Sequence, residues 1–317
     1  MPALIRCAVT LVALAALSFP VRAQAPGVFR GTGDMVRVFV TVTGRDDRIV
    51  TSLSRDQFEI RDNGRVQPLA LFDNTPQPVR LVVMLDVSGS MSGNLSLLRA
   101  ASDELFARLR PDDLVRVGTF GHDIAISPAF TGDRRALVAA LPRFIDPDAP
   151  TPLWRAVDQA MDAFGDVEGR RVVLVLSDGK DGGPRRFGER YIGQLDVVER
   201  ARREDVMIYG IGLHSRQAAG RMPVAGANLA AMMAADFPDP GLGTAATESG
   251  GGYLEIRPRQ DLGAAFARVA DELHSQYLLG FTPPVLDGKT HRIEVRVSDR
   301  TAKPRARKSY VAPKAPK

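Results

Sequence analysis

Asp86, Ser88 and Ser90 stand at alternate positions where an apolar run ends, in the stretch Leu-Val-Val-Met-Leu-Asp-Val-Ser-Gly-Ser-Met-Ser (81–92). A continuous apolar run suits a strand covered on both faces, and in an open α/β sheet ligands gather beyond the carboxyl ends of such strands. In a tight turn leaving the strand, alternate residues can aim three short side chains inward, one carboxylate and two neutral hydroxyls. That set suits a hard cation that prefers oxygen. Taken alone, the two serines also read as caps of a following helix.

Two further oxygen donors occur where such a site needs them. Thr151 lies just before the apolar helix start Leu153-Trp154-Arg155-Ala156, and Val172–Ser177 is a second buried run that ends at Asp178, mirroring Asp86. Asp181 competes with Asp178 for the role, and Lys180 places a cation beside it. Together the motif, its spacing and its strand contexts resemble the von Willebrand factor type A domain with its metal-ion-dependent adhesion site. The resemblance implies that Asp86, Ser88, Ser90, Thr151 and Asp178 hold Mg²⁺, or alternatively Mn²⁺ or Ca²⁺, directly or through water. The flanks extend it: Val36–Thr43, Leu53–Gly64, Gln276–Pro284 and Asp287-Gly-Lys are similar to the VWFA-related proteins first grouped from Acidobacteria, over about residues 34 to 313.

A cation held by so little negative charge stays electrophilic, and Mg²⁺ readily keeps waters in its octahedral shell, so an open position can take a carboxylate from another molecule. The expected function is therefore that of an exported, adhesion-type binding module whose protein partner offers an Asp or Glu side chain. The alternative is a structural envelope protein in which the ion only rigidifies the loop. A metal-dependent hydrolase or phosphotransferase is less well supported. An aspartate nucleophile of the haloacid dehalogenase type wants a second acid two residues on, where this chain has Ser88. His122, His214, His274 and His291 are scattered without zinc spacing, and no Gly-x-Ser-x-Gly elbow surrounds the serines. The chain is read as a non-enzyme.

Composition bounds the setting. Residues 1–25, with Arg6, the apolar stretch Ala8–Phe19 and small residues near Ala23 and Ala25, read as a secretory signal peptide. The apolar stretch is shorter than the roughly 20 residues a spanning helix needs. The expectation is a periplasmic or secreted protein with no transmembrane segment once processed. Its single cysteine, Cys7, lies inside the signal, so the mature chain has neither disulfides nor thiol chemistry. The net charge of +5 is concentrated near the C-terminus, in Lys289–Lys317. With Tyr310 as the one aromatic in the terminal basic cluster, that segment reads as a solvated strand and frayed end, and no nucleic-acid partner is expected.

The elements that must position these donors alternate strand and helix from residue 79 to 274, the signature of a doubly wound, mainly parallel α/β sheet. Helices are marked by Leu98, Ala101, Leu105 and Leu109; by Leu137–Leu141; by Ala156–Phe164; by Ile192, Leu195, Val198 and Ala201; and by Leu262, Phe266, Val269 and Leu273. Leu114–Phe120 and Ile124–Phe130 read as a strand pair, the second an antiparallel edge, and Val206–Leu213 as another strand. The segment 34–78 is β-rich: a half-exposed strand with Val36, Val38, Val40 and Val42 on one face, then Phe58 and Ile60, an Asn63-Gly64 hairpin and a return over Val66–Phe72. The segment 275–313 has the same character, with strands at Tyr277–Phe281, His291–Val297 and Arg307–Val311. Both ends are expected to meet in one small β-sandwich. The insertion at 214–243 is long for a connection, and Ala227–Ala235 within it suits a short apolar helix.

Overall fold

The computed structural model describes residues 35–182, 190–214, 238–257 and 260–315. Its centre is a six-stranded sheet built from β5 (Val79–Asp86), β6 (Leu114–Phe120), β7 (Ile124–Ile126), β8 (Arg170–Ser177), β9 (Val206–Leu213) and β10 (Tyr253–Ile256). The order is β10-β9-β8-β5-β6-β7, parallel throughout except for β7, which pairs antiparallel with β6 at the edge. Chain order runs outward from β5 in both directions, so β5 sits at the point where the strand order reverses. Helices cover both faces. Leu81, Val83 and Leu85 pack toward α1 (Leu95–Ala107), α2 (Arg134–Ala139) and α6 (Leu262–Leu273), while Val82 and Met84 pack toward α3 (Leu153–Asp162), α4 (Gln194–Glu204) and α5 (Pro240–Ser249). This alternation is what an apolar strand buried on two faces requires.

The two chain ends build two four-stranded sheets. One has the order β13-β1-β11-β4, from Lys303–Arg305, Val36–Thr43, Tyr277–Phe281 and Leu71–Asp73; the other is β14-β12-β2-β3, from Ser309–Val311, Thr290–Val297, Phe58–Asp62 and Arg65–Gln67. Val38, Val40, Ile60, Leu279, Phe281 and Ile293 fill the core between them. Asn63 and Gly64 both have positive φ, 47° and 82°, as a two-residue hairpin turn demands.

Several expectations change. The polar face of β1 is only partly exposed: Arg37 is exposed, but Thr41 is buried and Phe39 packs beneath the Arg170 guanidinium, because that part of the face lies against the central-sheet unit. The return over Val66–Phe72 is two strands in different sheets, split at Pro68, which has no N–H to continue a ladder. In α4 the buried residues are Val197 and Ala201, whereas Leu195 is 82% exposed. Helix α5 and strand β10 had no counterpart in the sequence pattern. The signal segment and Ala227–Ala235 lie outside the described residues. No helix among the described residues is long and apolar enough to cross a membrane.

Candidate metal centre

Strands β5 and β8 are neighbours in register, Leu85 opposite Leu176, so their carboxyl ends deliver Asp86 and Ser177-Asp178 side by side. Asp86 is fully buried. One of its oxygens accepts the Ser88 backbone N–H at 2.8 Å, and the other accepts the Ser177 hydroxyl at 2.5 Å. The turn that follows is a short 3-10 segment, Gly89–Met91, held in place by the Gly89 N–H donating to Ala149 O at 3.0 Å. It sets Ser88 Oγ 3.0 Å from Ser90 Oγ, and Ser90 Oγ donates to Asp178 Oδ1 at 2.5 Å. The four residues therefore form a hydrogen-bonded arc spanning two strand ends.

Thr151 arrives from the other side. A Cβ placed on Gly179 would lie 2.8 Å from Thr151 Oγ1, and Thr151 O accepts the Gly182 N–H at 2.9 Å. Glycine at 179 thus lets the loop after β8 pass directly over the threonine. The competing aspartate has different work. Asp181 Oδ1 accepts the Trp154 N–H at 3.3 Å at the start of α3, where Pro152 occupies the cap position and has no capping side chain. The Asp181 N–H in turn donates to Asp239, the residue that caps α5.

The electrostatics of this arrangement are unbalanced. Burial pushes Asp86 up to about 7, against the pull of its bonds to Ser177 and Ser88 and helped by the nearby charge of Asp178. Burial likewise raises Asp178 to about 6, opposed by Ser90. Asp178 Oδ2 is buried with no hydrogen-bond partner. An acceptor oxygen left unsatisfied in the interior costs free energy unless something cationic or protic meets it. Two buried carboxylates, hydroxyl oxygens and an orphaned carboxylate oxygen fit an oxygen-seeking divalent ion such as Mg²⁺ or Ca²⁺ better than a nitrogen- or sulfur-seeking one. No group of three or more His, Cys, Asp and Glu placed to hold a metal ion occurs among the described residues. Each histidine instead pairs with a carboxylate: His122 with Asp146, His214 with Glu255, His274 with Asp113, His291 with Asp62.

The sequence reading missed Ser177. Its hydroxyl donates to the second oxygen of Asp86, yet in sequence it is only the polar end of an apolar strand.

Residues 81–180 match the family model of the von Willebrand factor type A domain, a span that holds all five candidate donors. The chain carries a type A domain. No curated protein matches it in sequence. Among solved structures, the conserved hypothetical protein BatB from Bacteroides thetaiotaomicron is 18% identical, with 62% of this chain and 97% of that one covered and a TM-score of 0.45. The vWF domain of the type V pili tip protein Mfa5 from Porphyromonas gingivalis is 13% identical over 62% of this chain and 95% of that one, TM-score 0.43. Proximal thread matrix protein 1 from the mussel byssus, with a zinc-occupied MIDAS motif, is 14% identical over 66% and 48%, TM-score 0.42.

Proposed function

We propose that the type A domain holds one divalent cation, Mg²⁺ in the first instance, on Asp86, Ser88, Ser90, Thr151 and Asp178, and uses it to bind a carboxylate of a protein partner. The orphaned Asp178 Oδ2 carries this reading, because it is the one fully buried side-chain oxygen of the centre without a hydrogen-bond partner. Bound there, the ion supplies a Lewis-acidic position. The chain's residues fix the donors: Ser177 and the Ser88 N–H hold Asp86, and Gly179 admits Thr151. Type A domains are typically interaction modules, and the chain is read as an exported binding protein rather than an enzyme.

The test is capture of partners from an envelope fraction with Mg²⁺ and with chelator, alongside thermal melting in the same buffers. Capture that needs Mg²⁺ while the melting temperature stays nearly constant supports the binding role. Capture indifferent to chelator, with a large fall in melting temperature, would assign the ion to loop rigidity alone.

A further inference from the structure

At the opposite edge of the central sheet, the amino ends of β5, β8 and β9 border a cleft of about 440 Å³ that also touches β1 and β11. Its volume lies in the range of small-molecule sites, roughly 300–1,000 Å³. Arg37, Arg80, Arg170 and Arg171 line it, together with Phe39 and Leu278. Two acidic residues also border the cleft, and both are already engaged: Asp205 pairs with Arg307 at 2.5 Å, and Glu204 with Arg200 at 2.8 Å. Of the five arginines that line the cleft, only Arg307 is so paired, and Arg37, Arg80, Arg170 and Arg171 form no ion pair with a carboxylate among the described residues.

The guanidiniums of Arg80 and Arg171 donate to backbone carbonyls, of Asp112 and of Val167. Carbonyls orient a cation without neutralising it. Arg170 is the most constrained. It is 7% exposed, donates to Leu273 O at 2.6 Å and to Gln276, and stacks 4.5 Å over the Phe39 ring, yet its Nε has no hydrogen-bond partner. Burial brings it down to about 10, only partly offset by Tyr209 and Asp113. A buried, uncompensated guanidinium is costly, and its planar donor fork matches phosphate and carboxylate oxygens.

We propose that this cleft binds a small organic anion, an oxyanion head group of the phosphate-monoester kind on a compact apolar body. The head meets the guanidinium groups and the body rests against Phe39 and Leu278. The site is separate from the metal centre and makes no use of it.

The probe is phenyl phosphate, titrated calorimetrically into the wild-type protein, into an Arg37→Gln/Arg80→Gln double variant and into Asp86→Ala. Inorganic phosphate serves as the head without the body. Saturable one-to-one binding of phenyl phosphate, weakened roughly tenfold or more in the double variant and unchanged in Asp86→Ala, is expected, with inorganic phosphate binding more weakly. Thermal melting of the double variant within a few degrees of wild type shows that it is folded. Absence of saturable binding to the wild-type protein, or equal binding by the folded double variant, would overturn the proposal. Equal affinity for inorganic phosphate would overturn the apolar body. If a long polyphosphate binds while phenyl phosphate does not, the arginines form a surface for a polymer and the small-molecule site is wrong.

Discussion

Ser90 Oγ donates to Asp178 Oδ1 at 2.5 Å across 88 positions of sequence, joining the turn after one strand to the end of its neighbour. The bond exists because β5 and β8 are adjacent and parallel, so their carboxyl ends finish at the same level. It uses one oxygen of Asp178 and leaves the other bare.

Gly179 is expected to act through Thr151. In Gly179→Ala the new Cβ would sit 2.8 Å from Thr151 Oγ1, closer than such atoms pack, so the threonine must move. Mg²⁺ affinity should fall about tenfold while melting temperature changes little, a loss comparable to disturbing a supporting residue of a metal site. Titration calorimetry with parallel melting curves measures both. Unaltered affinity would remove Thr151 from the ligand set.

Proton and metal should compete. Asp86 and Asp178 have folded pKa values raised to about 7 and about 6 from an ordinary 3.8. The metal-free protein therefore binds protons more readily than its unfolded chain, and this contribution to stability, full below about pH 4, is lost as pH rises through 6 and 7. A cation needs both carboxylates ionised and offsets that loss. Melting scans between pH 5 and 8 should show the stabilisation by saturating Mg²⁺ growing with pH. A constant increment across that range would exclude these aspartates as the groups that titrate.

The turn before β6 depends on Asp113. It is fully buried and accepts the Val79 N–H at 3.0 Å, the Arg110 N–H at 2.8 Å and His274 Nε2 at 2.7 Å. Burial pushes its carboxyl up, but the bonds from His274 and the two backbone groups outweigh it and leave it below the usual value. Its stabilisation is therefore present above about pH 4 and is lost as pH falls through the lowered folded value. Asp113→Ala should cost roughly 3–5 kcal/mol at pH 7 in urea denaturation. The deficit should shrink in acid. A cost under about 1 kcal/mol would mean that water replaces the carboxylate freely.

Much of this was legible in the sequence. The apolar runs ending in Asp86 and Asp178 marked two sheet strands, and the α6 stripe Leu262, Phe266, Val269, Leu273 is buried as its spacing requires. Helix α5 was not legible because Gly241 and Gly243 lower its intrinsic propensity, and packing overrides that preference. A Cβ at Gly241 would come within 2.7 Å of Trp154. Also hidden was the buried join behind β1, where Thr41 and Tyr209 donate to Glu272 at 3.2 and 2.5 Å and Arg305 pairs with the same carboxylate. A glutamate in a helix reads as solvent-facing until its cross-chain partners are known.

That join bears on the two chain ends. We expect residues 34–78 and 275–313 to fold as one sandwich beside the type A domain, since β12 pairs with β2 through Val295 opposite Ile60, and β11 with β1 through Val38 opposite Leu279. Deleting residues 30–77 removes both partners and should expose residues 291–311 to protease. Continued protection of that segment would show that the two ends fold separately.

Calorimetric titration of Mg²⁺ into wild-type protein and into Asp86→Ala, Asp178→Ala and Asp181→Ala tests the metal centre most directly. One ion per wild-type chain is predicted, with binding lost in the first two variants and retained in the third, whose carboxylate caps α3 at Trp154. Undiminished binding in Asp86→Ala and Asp178→Ala, or loss in Asp181→Ala alone, would contradict the account.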